Sequence, residues 1–284
     1  MITLKNGDGI VWPEDKKIAL MVTFDYELEL LRESVYQKKL EFADLSRGQY
    51  GSSEGLDRCL EVLRKNDVKA TFFIPGAIAE RYPEDIRKID KEGHEIGYHG
   101  WLPETSLELP KEQENENMEK AEKALMALTG KKLVGARGWR NVTYAYTPAL
   151  LRERGYHYSS IMKDCDWAYA YPQEPSIVEL PTEHTLDDYT YFFFSFDHPQ
   201  HRANYPVDYV FQIWKDTLDE LASEGDKVMV LRLHPQFIGR SSRADMLDRF
   251  LKYAKEQGAW ITTCEKTADY VQTQNRLESL EGQR

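Results

Sequence analysis

Short apolar runs alternate with stretches whose apolar positions recur every three or four residues. Ile18 to Phe24 (IALMVTF) is continuously apolar apart from Thr23 and predicts a buried strand. Ala70 to Ile74, His94 to Tyr98, Leu133 to Ala136, Ile177 to Leu180, Val228 to Leu233 and Trp260 to Thr263 predict further strands. Between them lie helical patterns. Leu56 to Lys65 carries Leu56, Cys59, Leu60 and Leu63 on one face. Pro83 to Glu92 opens on a proline and stops at Gly93, and Pro110 to Thr129 closes at Gly130. Pro148 to Arg154, Val207 to Ser223 and Arg243 to Glu256 complete the helices. Strands alternating with helices pair in parallel, so the expected fold is α/β, a closed or nearly closed barrel. No repeat and no low-complexity block divides the 284 residues, so one domain is expected over 1–284. A polar N-terminal extension (1–17) and a polar C-terminal tail (272–284) flank it.

Composition narrows the function classes. The formal net charge of −11 argues against a nucleic-acid partner, which selects a basic surface. No run of about 18 apolar residues occurs, so no membrane span is expected. The first residues lack the basic start and apolar core of a secretion signal, which points to the cytoplasm. Cys59, Cys165 and Cys264 form no CxxC pair, so a disulfide framework or thiolate zinc site is not expected.

Chemistry-bearing residues gather at the predicted strand ends. Asp25-Tyr26-Glu27 follows the first strand, His99-Gly100-Trp101 the third, and His234-Pro235 the strand Val228 to Leu233; Arg137 follows Leu133 to Ala136. In parallel barrels the carboxyl ends of strands share one rim, so these groups converge. Each alone is more often an N-cap, a structural histidine or a salt-bridge partner; their convergence carries the reading. Water is a poor nucleophile, and amide hydrolysis needs a carboxylate or a metal to activate it. Asp25 is the candidate base. Glu27 and His99 suit a divalent metal, zinc or its neighbours. His234 is the candidate acid for the leaving nitrogen. Arg137 would orient a carboxylate or stabilise developing charge. Tyr26, Trp101 and Trp139, with Trp167 and Tyr169, suggest a small aromatic-walled pocket for a planar small-molecule substrate.

Seven segments resemble the polysaccharide deacetylase family, also called carbohydrate esterase family four. They are TFDYE (23–27), LSRGQYG (45–51), KATFFIPG (69–76), GHEIGYHGW (93–101), GYHYSSIMKDCDWAY (155–169), VELPTEHTLDDYTYF (178–192) and LRLHPQFIGRSSR (231–243). The nearer resemblance is to a signal-less subgroup of peptidoglycan deacetylase homologues, cyclic imide hydrolases and metal-free allantoinases. It implies a distorted (β/α) barrel with about seven parallel strands. It also implies a base at Asp25, metal ligands at Glu27 and His99, an acid at His234, no metal role for His94, and a pocket mouth at Asp187 and Asp188. Symmetric homotetramers are expected from the same resemblance. The sequence departs from the family where the second metal histidine belongs: Pro103 stands there, with Glu104 beside it as the candidate replacement oxygen ligand for the metal. Glu27 is one methylene longer than the family's aspartate. These departures favour hydrolysis of a small or cyclic amide or imide. The alternatives are a metal-dependent N-deacetylase of an acetylated sugar and a non-catalytic binding protein with a degenerate metal site.

Overall fold

The computed structural model describes residues 10–36, 40–102, 109–139, 142–195 and 204–281, with 275–281 described by backbone alone. Among them nine strands form one curled sheet: β1 (Ile18–Asp25), β2 (Thr71–Ile74), β3 (Glu95–Tyr98), β4 (Gly135–Ala136), β5 (Tyr158–Ser159), β6 (Tyr169–Tyr171), β7 (Glu174–Glu179), β8 (Val228–Leu233) and β9 (Ala259–Thr262). The order is β6-β7-β5-β4-β3-β2-β1-β8, and β9 also pairs with β1. Every pair is parallel except β6 with β7. The expected parallel α/β architecture therefore holds. The strand count rises from about seven to nine, because the short β5 and the hairpin strand β6 carry no run long enough to register as a pattern.

β1 is the hub. Ala19 to Phe24 pair with β8 along one edge, while Ile18 to Met21 meet β9 and Thr23 to Asp25 meet β2 along the other. A strand buried on both faces and both edges must be apolar throughout, which explains its near-continuous hydrophobic run. Successive side chains point to opposite faces. Ile18, Leu20, Val22 and Phe24 pack into the outer core with helices such as Leu56–Lys65 and Ser241–Glu256. Ala19 and Met21 pack inside the curl with Phe73, Tyr158, Val178, Val228 and Val230. The same inner parity carried upward reaches Thr23 and Asp25 on β1, and Arg232 and His234 at the end of β8. The interior thus changes from apolar below to ionic at the rim.

The flanks differ from the sequence expectation. Trp12, within the supposed polar extension, is buried against Trp260 and Tyr270. The supposed polar tail continues a helix that runs Cys264–Glu281. Among the described residues, no helix is long and apolar enough to cross a membrane. The three cysteines are free.

Candidate active site

Asp25 ends β1 fully buried, held by two guanidinium groups. Arg137 Nη1 donates to Oδ1 at 2.8 Å, and Arg232 Nε donates to Oδ2. Arg137 is itself fixed: Nη1 also donates to Thr23 Oγ1 at 2.7 Å, Nε to the Ser160 carbonyl at 3.0 Å, and Nη2 to Ser160 Oγ at 2.9 Å. Its guanidinium lies 4.2 Å over the Phe73 ring. Burial alone would raise the Asp25 pKa, but Arg232 and Arg137 outweigh it and hold the carboxyl well below the usual carboxylate range.

Glu27 reaches between two imidazoles. Its Oε1 lies 2.8 Å from His99 Nε2, and its Oε2 lies 3.6 Å from His234 Nε2. The second separation is too long for a hydrogen bond. Oε2 is accordingly buried with no partner among the described residues. Burial pushes the Glu27 pKa up, but the two histidines bring it down to about 2. The next residue, Leu28, takes φ of 52° although it is bulky and fully buried. Such a conformation costs about 1–2 kcal/mol. The turn it makes leads the chain from β1 into the helix Glu29–Tyr36.

The two histidines are each oriented from behind. His99 Nδ1 lies 2.7 Å from the Arg137 carbonyl, an acceptor, so Nδ1 carries a hydrogen. His234 Nδ1 lies 2.6 Å from Asp188 Oδ1. Asp188 Oδ2 also accepts from the backbone N–H of His234 at 3.0 Å and of Ile238 at 3.1 Å, capping the short helix Pro235–Ile238. Burial opposes the His234 cation, yet Asp188, Glu27 and Asp187 outweigh it and hold its pKa well above the usual histidine range. Asp187 contacts Arg232 Nη1 at 3.6 Å and caps the helix Asp188–Phe192 through Tyr189 N–H at 2.9 Å.

The structure brings together Asp25, Glu27, His99, Arg137 and His234, with Trp139 tilted beside His99 at 5.2 Å between ring centroids. It does not bring in Tyr26, whose hydroxyl donates to Asp85 at 2.6 Å on the outer face. Nor does it bring in Trp101, whose ring packs on Gly76 and under the Lys120 ammonium. Asp188 is no pocket-mouth residue but the buried partner of His234. Trp167 lies against Lys227, and Tyr169 donates to Asp164. The aromatic rings found around His234 are instead Tyr189 and Phe237, at 6.3 and 5.4 Å. Pro103 and Glu104 lie outside the described residues. His94, given no metal role, accepts from Ala70 N–H at 3.1 Å. Arg232 is the residue that sequence reasoning missed, although an arginine inside VMVLRL required a buried anion.

The donor set suits a divalent ion. Asp25, Glu27 and His234 bring one ligand atom each within 4.8 Å of one another. His99 donates its rear N–H to a backbone carbonyl, the arrangement that turns the other ring nitrogen into a metal ligand. Glu27 Oε2 is an open buried acceptor beside it.

Comparison with known proteins agrees with this geometry. A family model described as polysaccharide deacetylase matches residues 14–158. A peptidoglycan deacetylase of Helicobacter pylori is 26% identical over 265 residues, covering 82% of this chain and 89% of its own length. A peptidoglycan deacetylase-like protein of Gibberella zeae is 25% identical over 253 residues, covering 77% and 75%. A Mycobacterium smegmatis structure described as a polysaccharide deacetylase superposes with a TM-score of 0.87 at 29% identity, covering 94% of each chain. The structure of Puue allantoinase superposes with a TM-score of 0.79 at 27% identity, covering 91% of each.

Proposed function

The chain belongs to the polysaccharide deacetylase family, and we propose that its rim cluster hydrolyses a small or cyclic amide, with Glu27 as base and His234 as acid. Membership makes it a hydrolase of carbon–nitrogen amide bonds. The observation that carries the finer reading is the unequal state of the two carboxylates. Both oxygens of Asp25 accept from guanidinium groups, and this pair of cations weakens it as the base expected there from sequence. Glu27 Oε2 has no hydrogen-bond partner among the described residues and faces His234 Nε2 at 3.6 Å.

Glu27 Oε2 takes a proton from water as the oxygen attacks the amide carbon. The buried Nε1–H of Trp139, unpartnered among the described residues, offers a neutral donor to the carbonyl oxygen as charge develops. The C–N bond breaks as His234, protonated and anchored by Asp188, gives its Nε2 proton to the leaving nitrogen. Because the 3.6 Å separation is too long for direct transfer, one bridging water carries the proton gained by Glu27 to the His234 that has lost its own, which resets both groups. Asp25, clamped by Arg137 and Arg232, holds the positive field in place. Glu27 and His99 would hold a divalent ion, zinc by its taste for mixed nitrogen and oxygen donors. When bound it supplies Lewis-acid polarisation of water or carbonyl.

The aromatic flanks support a planar substrate: Trp139, Tyr189 and Phe237 surround the imidazoles. The likeness to a peptidoglycan deacetylase across most of both chains favours a second reading, removal of an N-acetyl group from a sugar. The deciding experiment assays the purified chain, with and without added zinc, against cyclic imides, hydantoins and N-acetylated amino sugars. Turnover of ring amides, lost in Glu27→Gln, is expected. Turnover confined to acetylated sugars overturns the ring-amide reading, and a fully active Glu27→Gln overturns the assignment of the base.

A further inference from the structure

Five residues keep a buried side-chain nitrogen or oxygen without a hydrogen-bond partner among the described residues: Trp12, Glu27, Trp139, Trp167 and Gln236. Such groups are rare because each forfeits its hydration without recompense. Glu27 and Trp139 already belong to the rim. Gln236 is the extreme case, since both its Nε2 and its Oε1 are unpartnered and the residue is only 3% exposed. A methionine or leucine would fill the same space without that penalty.

Its placement gives the reason. Gln236 sits in the turn Pro235–Ile238 that follows His234 and that Asp188 caps. It lies against Gly51, where a Cβ would come within 3.2 Å of the amide oxygen and within 2.5 Å of Leu28 Cδ2. Leu28 directly follows Glu27. The amide oxygen and the Leu28 side chain therefore meet around Gly51, on the segments that follow the proposed acid and the proposed base.

We propose that Gln236 recognises the cis amide edge of a ring substrate, its N–H donating to the ring carbonyl and its carbonyl accepting from the ring N–H. A primary amide presents one donor and one acceptor side by side. A lactam, imide or hydantoin presents the complementary pair, because the small ring forces its C–N bond to be cis. An acyclic N-acetyl amide is trans, with N–H and C=O on opposite edges, and cannot meet both atoms of Gln236 at once. Sites built to hydrogen-bond a substrate group discriminate strongly against analogues that lack it. This assignment rests on the ring-amide reading of the site and narrows its substrate class.

The test uses the full chain, with Gln236→Met and Gln236→Leu beside the wild type. Binding of succinimide and hydantoin is measured by calorimetry, hydrolysis of the same compounds and of N-acetylglucosamine by product assay, and unfolding by a thermal scan. Both variants should lose roughly 10- to 100-fold in ring-amide binding and kcat/KM, the worth of two hydrogen bonds, lose far less of any N-acetyl turnover, and unfold at or above the wild-type temperature. Earlier unfolding of both variants would mean that Gln236 is structural and overturns the proposal. Ring amides turned over undiminished by the variants overturn the Gln236 assignment alone. A wild type that neither binds nor hydrolyses any ring amide overturns this proposal and the ring-amide reading together.

Discussion

Replacing Asp188 by Asn should disable the acid without moving it. Asp188 accepts three N–H groups: His234 Nδ1 at 2.6 Å, His234 N at 3.0 Å and Ile238 N at 3.1 Å. An asparagine keeps one oxygen. If that oxygen stays on the two backbone donors, which fix the start of Pro235–Ile238, the new NH₂ faces Nδ1. Nδ1 must then accept, so His234 becomes a neutral ring with its hydrogen on Nε2. A neutral imidazole is a far weaker acid than the imidazolium that Asp188 and Glu27 sustain. Loss of general acid catalysis is worth roughly 10²- to 10⁴-fold, or about 3–5 kcal/mol of barrier. The fold should lose about 1.5–3 kcal/mol with the charge-assisted bond. The sign of the pH effect follows from the raised folded pKa of His234. Its contribution to stability is complete below the unfolded value of about 6.5 and disappears as pH rises through the folded value. Proton resonances of the imidazole followed against pH read this directly and need no substrate. His234 should titrate well above the ordinary range in the wild type and drop in Asp188→Asn, while kcat falls more than KM changes. A His234 that titrates identically in both proteins, or a variant with unchanged kcat, refutes the role given to Asp188.

Arg232→Met removes one of the two guanidinium groups on buried Asp25 and should cost about 3–5 kcal/mol. Because Asp25 is depressed in the fold, its contribution is present above about pH 3.9 and lost as pH falls through the folded value; acid unfolding should therefore begin at higher pH in the variant, and an unchanged acid midpoint counts against the clamp. Trp139→Phe keeps a ring beside His99 and deletes only the unpartnered N–H. It should lower kcat by about 10²-fold with KM nearly constant and no fall in Tm, whereas unchanged kinetics would exclude the donor role. Gly135→Ala places a Cβ inside the Tyr158 ring, whose hydroxyl is tied to Glu95. Overpacking there should cost about 1–3 kcal/mol, read as a lowered urea midpoint; wild-type stability would mean that β4 and β5 adjust freely.

Which parts of this site were legible follows from how each side chain is aimed. Asp25, His99, Arg137 and His234 each end a strand, and parallel strands bring their ends to one rim, so long apolar runs sufficed to gather them. Arg232 needed one more step. It shares parity with Val228, Val230 and His234, and that parity faces the interior, so a charged residue there had to meet an anion. Parity also settles Tyr26: Asp25 and Glu27 face inward, which sends the residue between them to the outer layer and to Asp85. Trp101 escapes that rule. It has the parity of Gly97 and His99, but Gly100 takes φ of 80° and breaks the alternation, so the indole turns onto Gly76. Asp188 escapes differently, because it opens a five-residue helix too short for any periodicity to describe. The division has a chemical consequence. Alternation along a strand places the reacting groups, whereas carboxylates off the strands and positive-φ turns decide their protonation and their neighbours. Two chains with the same rim residues can thus differ in which carboxylate is free to act as base. In the proposed mechanism the second guanidinium on Asp25 leaves that role to Glu27.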